Sequence, residues 1–276
     1  MLKIDAHQHF WIYDPVRDSW INDDMAVLRA NFMPQQLLGL LQQHHFDGSV
    51  VVQSDQSDTE NLFQLSNAAE NPFVKGVVGW VDLQAADVAE KLEELSGYEK
   101  MKGFRHILQG EQDRALMLKP EFVKGIGKLR QFNYTYDILI FPDQLKYAAE
   151  LVSKFPDQPF VLDHIAKPDI KNGTTADWKK DILALAKHEN VSCKVSGMVT
   201  EADWKNWKAS DFEPYLDIIF EAFGIERLMY GSDWPVCLVS ASYAQTLGLI
   251  ETYTAKLSVN EQELFWGGNA VKFYNL

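Results

Sequence analysis

Leu2-Lys3-Ile4-Asp5-Ala6-His7-Gln8-His9 opens the chain with a short β-rich run, Leu2–Asp5, that leads straight into two histidines two residues apart. Alternate side chains on a strand point the same way, so this spacing directs both imidazoles into one pocket. Seven similar runs follow: Gly48–Gln53, Val74–Asp82, Gly103–Gln109, Thr135–Ile140, Phe160–Asp163, Val191–Val195 and Arg227–Tyr230. Segments of helical period separate them. Pro34, Asp58, Pro120 and Pro142 stand where those helices begin, matching the preference for Pro at the first helical position and Asp at the cap. Ser258 with Glu261 forms a capping-box pattern before a final helix ending near Phe273. Alternating β and α units imply a parallel sheet with covering helices. An open doubly wound sheet would show the same alternation. The positions of the histidines, and of His164 and Asp233 further on, decide for a single-domain (β/α)8 TIM barrel over residues 1–276, because such barrels build their sites at the C-terminal ends of strands.

Composition narrows the function. Hydrophobic residues are 46% and charged residues 24% of the 276, the balance of a folded enzyme or binding domain. A formal charge of −13 repels phosphate backbones and anionic membrane surfaces, so no nucleic acid and no membrane partner is expected, while a small-molecule substrate stays open. Cys193 and Cys237 are too few for a disulfide framework and are read as reduced core residues. MLKIDAHQHF lacks an apolar leader segment, and a cytoplasmic location is expected. The pattern of helices does not fix an oligomeric state.

Three further features carry chemistry. His164 and Lys167 follow the apolar run Phe160–Asp163, and Asp233 follows Leu228–Tyr230 between the flexible Gly231 and the turn-forming Pro235. Each has an ordinary structural reading when taken singly: a polar edge for the His pair, a satisfied core histidine for His164, a helix cap or turn for Asp233. Together they place three imidazoles and a carboxylate at strand ends of one barrel, where Asp233 suits a general base. His44, His45 and His188 fall in helix-like segments and are read as surface or packing residues. Two long connections, Phe10–Met33 and Gly197–Asp211, carry Trp11, Trp20, Trp204 and Trp207 and are read as lids or pocket walls.

This arrangement resembles the amidohydrolase superfamily. The stretches KGFRHILQ (Lys102–Gln109), VLDHIAKP (Val161–Pro168), CKVSGMVTEADW (Cys193–Trp204) and GSDWPVC (Gly231–Cys237) are similar, in this order, to its lactonase branch, which holds L-fuconolactonase-like and L-rhamnonolactonase-like enzymes. The resemblance spans nearly the whole chain. It implies that a sugar-derived lactone is opened to its aldonic acid, with Asp233 activating water and His7, His9 and His164, or a metal they hold, stabilising the oxyanion. Those four residues suit one divalent, zinc-type ion, but members of the branch also work without metal, and both possibilities stay open. Many superfamily members hold two metals through a lysine or acid after the fourth strand. Here that strand presents Arg105 and His106, and Lys194 lies on the seventh, so a second ion is not expected.

Arg105, His106 and Lys194 are expected to donate to substrate oxygens, with Lys167 a weaker candidate read as a solvated ion pair. Gln53, Trp80 and Trp234 are candidates to meet hydroxyls or the face of a sugar ring. The main alternative is a metal-dependent decarboxylase of an unsaturated acid on the same barrel. A binding protein without turnover is the other; it would have no need of all four site residues at matching strand ends.

Overall fold

A computed structural model describes all 276 residues. Eight parallel strands lie in sequence order: β1 Ile4–Gln8, β2 Gly48–Val52, β3 Val74–Gly79, β4 Met101–His106, β5 Thr135–Ile138, β6 Phe160–Leu162, β7 Val191–Val195 and β8 Leu228–Tyr230. The ring closes between its first and last members, where Gln8 bridges Trp234 in parallel and Asp233 N donates to His7 O at 2.9 Å. This is the expected (β/α)8 barrel. Helices α1 Pro34–Gln43, α2 Asp58–Glu70, α3 Val88–Leu95, α4 Pro120–Leu129, α5 Leu145–Ser153, α6 Ala176–Leu185, α7 Glu213–Phe223 and α8 Tyr243–Thr254 alternate with the strands, and α9 Val259–Glu263 leads through a π-helical turn into α10 Asn269–Tyr274. None of these helices is long and apolar enough to cross a membrane.

Strand limits differ from the sequence reading, and local hydrogen bonding explains where. β1 runs past Asp5 to Gln8, so His7 sits inside the strand; its register shifts between Asp5 and Gln8 as it pairs with β2. β3 stops at Gly79 because the side chain of Asn61, not the next strand, accepts from Trp80 N. β4 starts at Met101 and ends at His106, since Leu108–Gly110 turns into a 3-10 helix. Asp58 is the first residue of α2 rather than its cap: Ser57 caps it, accepting from Glu60 N at 3.2 Å. Pro142 begins a 3-10 turn ahead of α5. The Ser258–Glu261 capping box forms as read.

Two apolar layers hold the barrel. The larger lies between strands and helices, with Leu37, Phe122, Ile126, Leu151, Ile182 and Ile219 wholly buried; burying each such side chain stabilises the fold by ~1.5–3 kcal/mol. The smaller fills the barrel interior with Ile4, Ala6, Val50, Val52, Val78, Val161 and Met229, joined by Ala270 and Tyr274 from α10. Lys102 Nζ donates to Asn275 O, and Leu276 packs by Gly76, so the C-terminal segment stoppers the N-terminal end of the barrel. The opposite end is left for the site. Cys193 and Cys237 are free and buried.

Candidate active site

The imidazoles and the carboxylate that the sequence placed at strand ends meet at one point. Nε2 of His7 lies 3.2 Å from Nε2 of His9, and Oδ1 of Asp233 lies 3.4 Å from His9 Nε2, 3.7 Å from His164 Nε2 and 3.9 Å from His7 Nε2. All four residues are buried. Each imidazole has its other nitrogen engaged: Nδ1 of His9 donates to Val52 O at 2.7 Å, Nδ1 of His164 faces Ser196 Oγ at 2.8 Å, and Nδ1 of His7 is 3.3 Å from Asp163 Oδ1. Such partners fix ring orientation and aim Nε2 at the centre.

Local backbone supplies the aim. His164, Ile165, Ala166 and Lys167 form a left-handed turn with φ of 53°, 48°, 58° and 49°, and Asp233 is also left-handed at 56°. Non-glycine residues rarely adopt this region, and clusters of such outliers mark functional sites. Gly197, itself at φ 62°, leaves room for the turn, since a Cβ there would lie 2.6 Å from His164 Nδ1. Asp5 ties β1 to the Asp233 loop: its carboxylate accepts from Ser232 N at 2.8 Å and Tyr243 OH at 3.2 Å, and burial pushes its pKa up to about 6.

Burial holds His7 and His164 well below the ordinary histidine value, with Lys194 adding to the effect on His7 against the pull of Asp163. Both are neutral near pH 7. For Asp233 burial works to raise the pKa, but His164, His9 and Lys167 more than offset it, and the carboxyl lies below its usual value. A neutral imidazole beside an ionised carboxylate is the combination that a water-activating base needs.

Three of these groups fit a single zinc-type ion: donor atoms of His7, His164 and Asp233 all fall within 4.8 Å of one another, and His9 Nε2 lies beside them, 3.2 Å from His7 Nε2 and 3.4 Å from Asp233 Oδ1. Lys194 Nζ is 3.1 Å from His7 Nδ1 and Arg105 Nη1 is 3.3 Å from His7 Nε2, two basic groups whose charge disfavours a second ion beside His7.

Above the cluster a cavity of about 290 Å³ is lined by His9, His164, Asp233, Arg105 and Lys167, with Trp11, Trp20, Ile107, Leu139 and Val236 as its apolar wall. Of the expected substrate contacts, Arg105 reaches this cavity. Lys194 does not, being wholly buried beneath His7 against Asp137 and Asp163. Gln53 also lies below, bonded to the Arg105 carbonyl. His106 is outside the lining, accepting from Trp80 Nε1 at 3.4 Å and paired with Glu111 at 2.8 Å; Trp234 packs edge-on against Phe10 and Phe32. The first long connection supplies wall residues Trp11 and Trp20, whereas Trp204 and Trp207 turn away, their indoles bonded to Thr200 O and Ser240 O. Asp163, Ser196, Leu139 and Val236 were not singled out in the sequence. The motif DH at Asp163-His164 was the one available signal for Asp163.

Comparison with known proteins identifies relatives of this chain. A model of the amidohydrolase family matches residues 4–276. A protein of Burkholderia multivorans named L-fucono-1,5-lactonase is 39% identical over all of this chain and 96% of its own length, and one of Burkholderia ambifaria with the same name is 32% identical over 99% of this chain and 96% of its own. Among solved structures, an amidohydrolase from Burkholderia multivorans, seen with bound HEPES and with bound zinc, superposes with a TM-score of 0.96 at 39% identity, with both chains fully covered. A 5-carboxyvanillate decarboxylase from Sphingomonas paucimobilis, at 14% identity and a TM-score of 0.67 over all of this chain and 99% of its own, shares the fold alone. With its barrel, its strand-end histidines and aspartate, and a family match running from the first strand to the last residue, the chain belongs to the amidohydrolase family.

Proposed function

We propose that this protein is a lactonase that opens a sugar-derived lactone of the L-fucono-1,5-lactone type to the aldonic acid, in the cytoplasm. The observation that carries the reading is Asp233, an ionised carboxylate on the floor of a one-ring cavity with three imidazole Nε2 atoms aimed at it. The relatives' shared name supplies the substrate class.

Asp233 Oδ1 and His9 Nε2, 3.4 Å apart, together face the place where the attacking water would bind. Since His9 Nδ1 donates to Val52 O, its Nε2 accepts a hydrogen from the water and orients it. Asp233 takes the other proton as the oxygen attacks the lactone carbonyl. The oxyanion that develops is met by Nε2 of His164, as donor, and by the guanidinium of Arg105; these are in place before reaction and need no reorganisation. A zinc ion held by His7, His164 and Asp233 would supply Lewis-acid polarisation of the carbonyl. The apolar wall of Trp11, Trp20, Ile107, Leu139 and Val236 receives the less polar face of the ring. The ring C–O bond then breaks, and the acid formed releases a proton.

That proton gives the test. A pH-indicator assay across 1,4- and 1,5-sugar lactones, with chelator and with added zinc, is expected to show acid release above the spontaneous rate, fastest on 6-deoxyhexonolactones. Absence of turnover in both conditions, together with CO2 release from an unsaturated acid, would replace lactone opening with decarboxylation.

A further inference from the structure

Opening a lactone builds negative charge twice, first on the carbonyl oxygen and then on the ring oxygen as it leaves. The first charge has His164 and Arg105. The second falls on the alkoxide of a sugar hydroxyl, a poor leaving group unless a proton arrives as the bond breaks. Resting on the lactonase reading above, we propose that Lys167 is a further catalytic residue, whose ammonium gives that proton to the ring oxygen.

Among the residues lining the cavity, Arg105 and Lys167 are the arginine and lysine side chains. Arg105 cannot serve as an acid: a guanidinium does not lose its proton in a protein, and each of its terminal nitrogens already gives one hydrogen to a fixed partner, Asp163 or the Gln53 carbonyl. Lys167 differs on both counts. Its ammonium can give up a proton, and its nearest carboxylate, Glu201 Oε1, lies at 3.7 Å, a loose pairing that keeps the charge near the rim without occupying its hydrogens in a short bond. The Phe141 ring centroid lies 5.8 Å from Nζ. The charge of Lys167 is also felt by both Asp233 and His164.

The backbone shows that this placement is built. The left-handed turn continues through four residues, His164 to Lys167, and includes the β-branched Ile165, for which this region is especially unfavourable. The turn is pinned by Trp178 Nε1 donating to Ile165 O and by Lys167 N donating to His164 O, each at 2.8 Å. Its consequence is that a histidine on the floor and a lysine on the wall, three residues apart, face the same cavity.

The proton count closes. Asp233 takes a proton from the attacking water. When the intermediate collapses, the electron pair of the C–O bond goes to the ring oxygen, which takes the proton of Lys167. The neutral amine regains a proton from the Asp233 carboxylic acid through water as product leaves, and lactone plus water has become hydroxy acid.

The test compares the best oxygen lactone with the thiolactone in which sulfur replaces the ring oxygen, because a thiolate leaves without needing a proton. Lys167→Met is expected to lose at least about 100-fold in kcat on the oxygen lactone with KM within about threefold, and to stay within about threefold of wild type on the thiolactone. Equal losses on both substrates, or a raised KM with kcat kept, would overturn the proposal. Should the thiolactone be inert, or Lys167→Met fail to fold, Lys167→Cys alkylated with 2-bromoethylamine rebuilds an ammonium at this one accessible thiol, Cys193 and Cys237 being buried. Recovery of kcat on alkylation supports the role, and no recovery rejects it. Wild-type protein inactive on every lactone would instead sink the lactonase reading itself.

Discussion

Nζ of Lys194 stands 3.1 Å from Nδ1 of His7, with both side chains wholly buried. The same ammonium bonds Asp137 at 2.5 Å and lies 3.0 Å from Asp163, which also holds Arg105 at 3.1 Å. From α10, Tyr274 OH donates to Asp137 at 2.8 Å. Two cations and two carboxylates thus form a balanced layer inside the barrel, between the C-terminal stopper and the site. Within it Lys194, His7 and Arg105 hold Asp163 well below the usual carboxylate range against the effect of burial, and burial pushes Asp137 up to about 6.

Breaking this layer should cost stability directly. Lys194→Met leaves two buried carboxylates without their shared cation, and urea unfolding at pH 7 is expected to show a loss of about 3–5 kcal/mol. The sign with pH follows from linkage. In the variant the folded-state carboxyl pKa values rise above their unfolded ones, so the folded form binds more protons and the deficit shrinks as pH falls from 7 toward 5. A deficit independent of pH over that range would contradict the account.

Gly197 tests the geometry of His164 from the other side. Gly197→Ala puts a Cβ 2.6 Å from His164 Nδ1 at a φ of 62°, so the ring must move. A displacement of this size is expected to lower kcat by about 100-fold while far-ultraviolet circular dichroism stays that of the wild type. Unchanged kcat in a folded variant would show that the position of His164 does not matter.

The barrel was legible because its signal is repeated. Eight apolar runs separated by capped helices survive errors of several residues at their ends, as at β1 and β4. His7, His9, His164 and Asp233 were legible because chemical residue types followed apolar runs. Lys194 was placed on the right strand but at the wrong depth: alternation along a strand says which face a side chain takes, not whether it points at the cavity or the layer beneath. The left-handed turn at His164–Lys167 had no signal at all, since Ile165 and Ala166 are residues that local propensity would never place there. A tertiary bond from Trp178 Nε1 to Ile165 O holds it.

Under the proposed mechanism the acid limb of the pH–rate profile is expected to report Asp233. The base works ionised, so activity is present above its pKa and lost as pH falls through it. Because that pKa is held below its ordinary value of 3.8, kcat/KM is expected to stay flat from pH 7 down to about 5 and to fall only below about 4. A midpoint near 6.5 would instead point to a histidine as the base.

The most direct measurement is turnover of L-fucono-1,5-lactone by wild type and by Asp233→Asn, corrected for spontaneous opening, with folding checked by circular dichroism. The account predicts clear turnover by the wild type and a loss of about 10³–10⁴-fold in kcat for the folded variant. A folded Asp233→Asn variant that keeps near-normal kcat would contradict it.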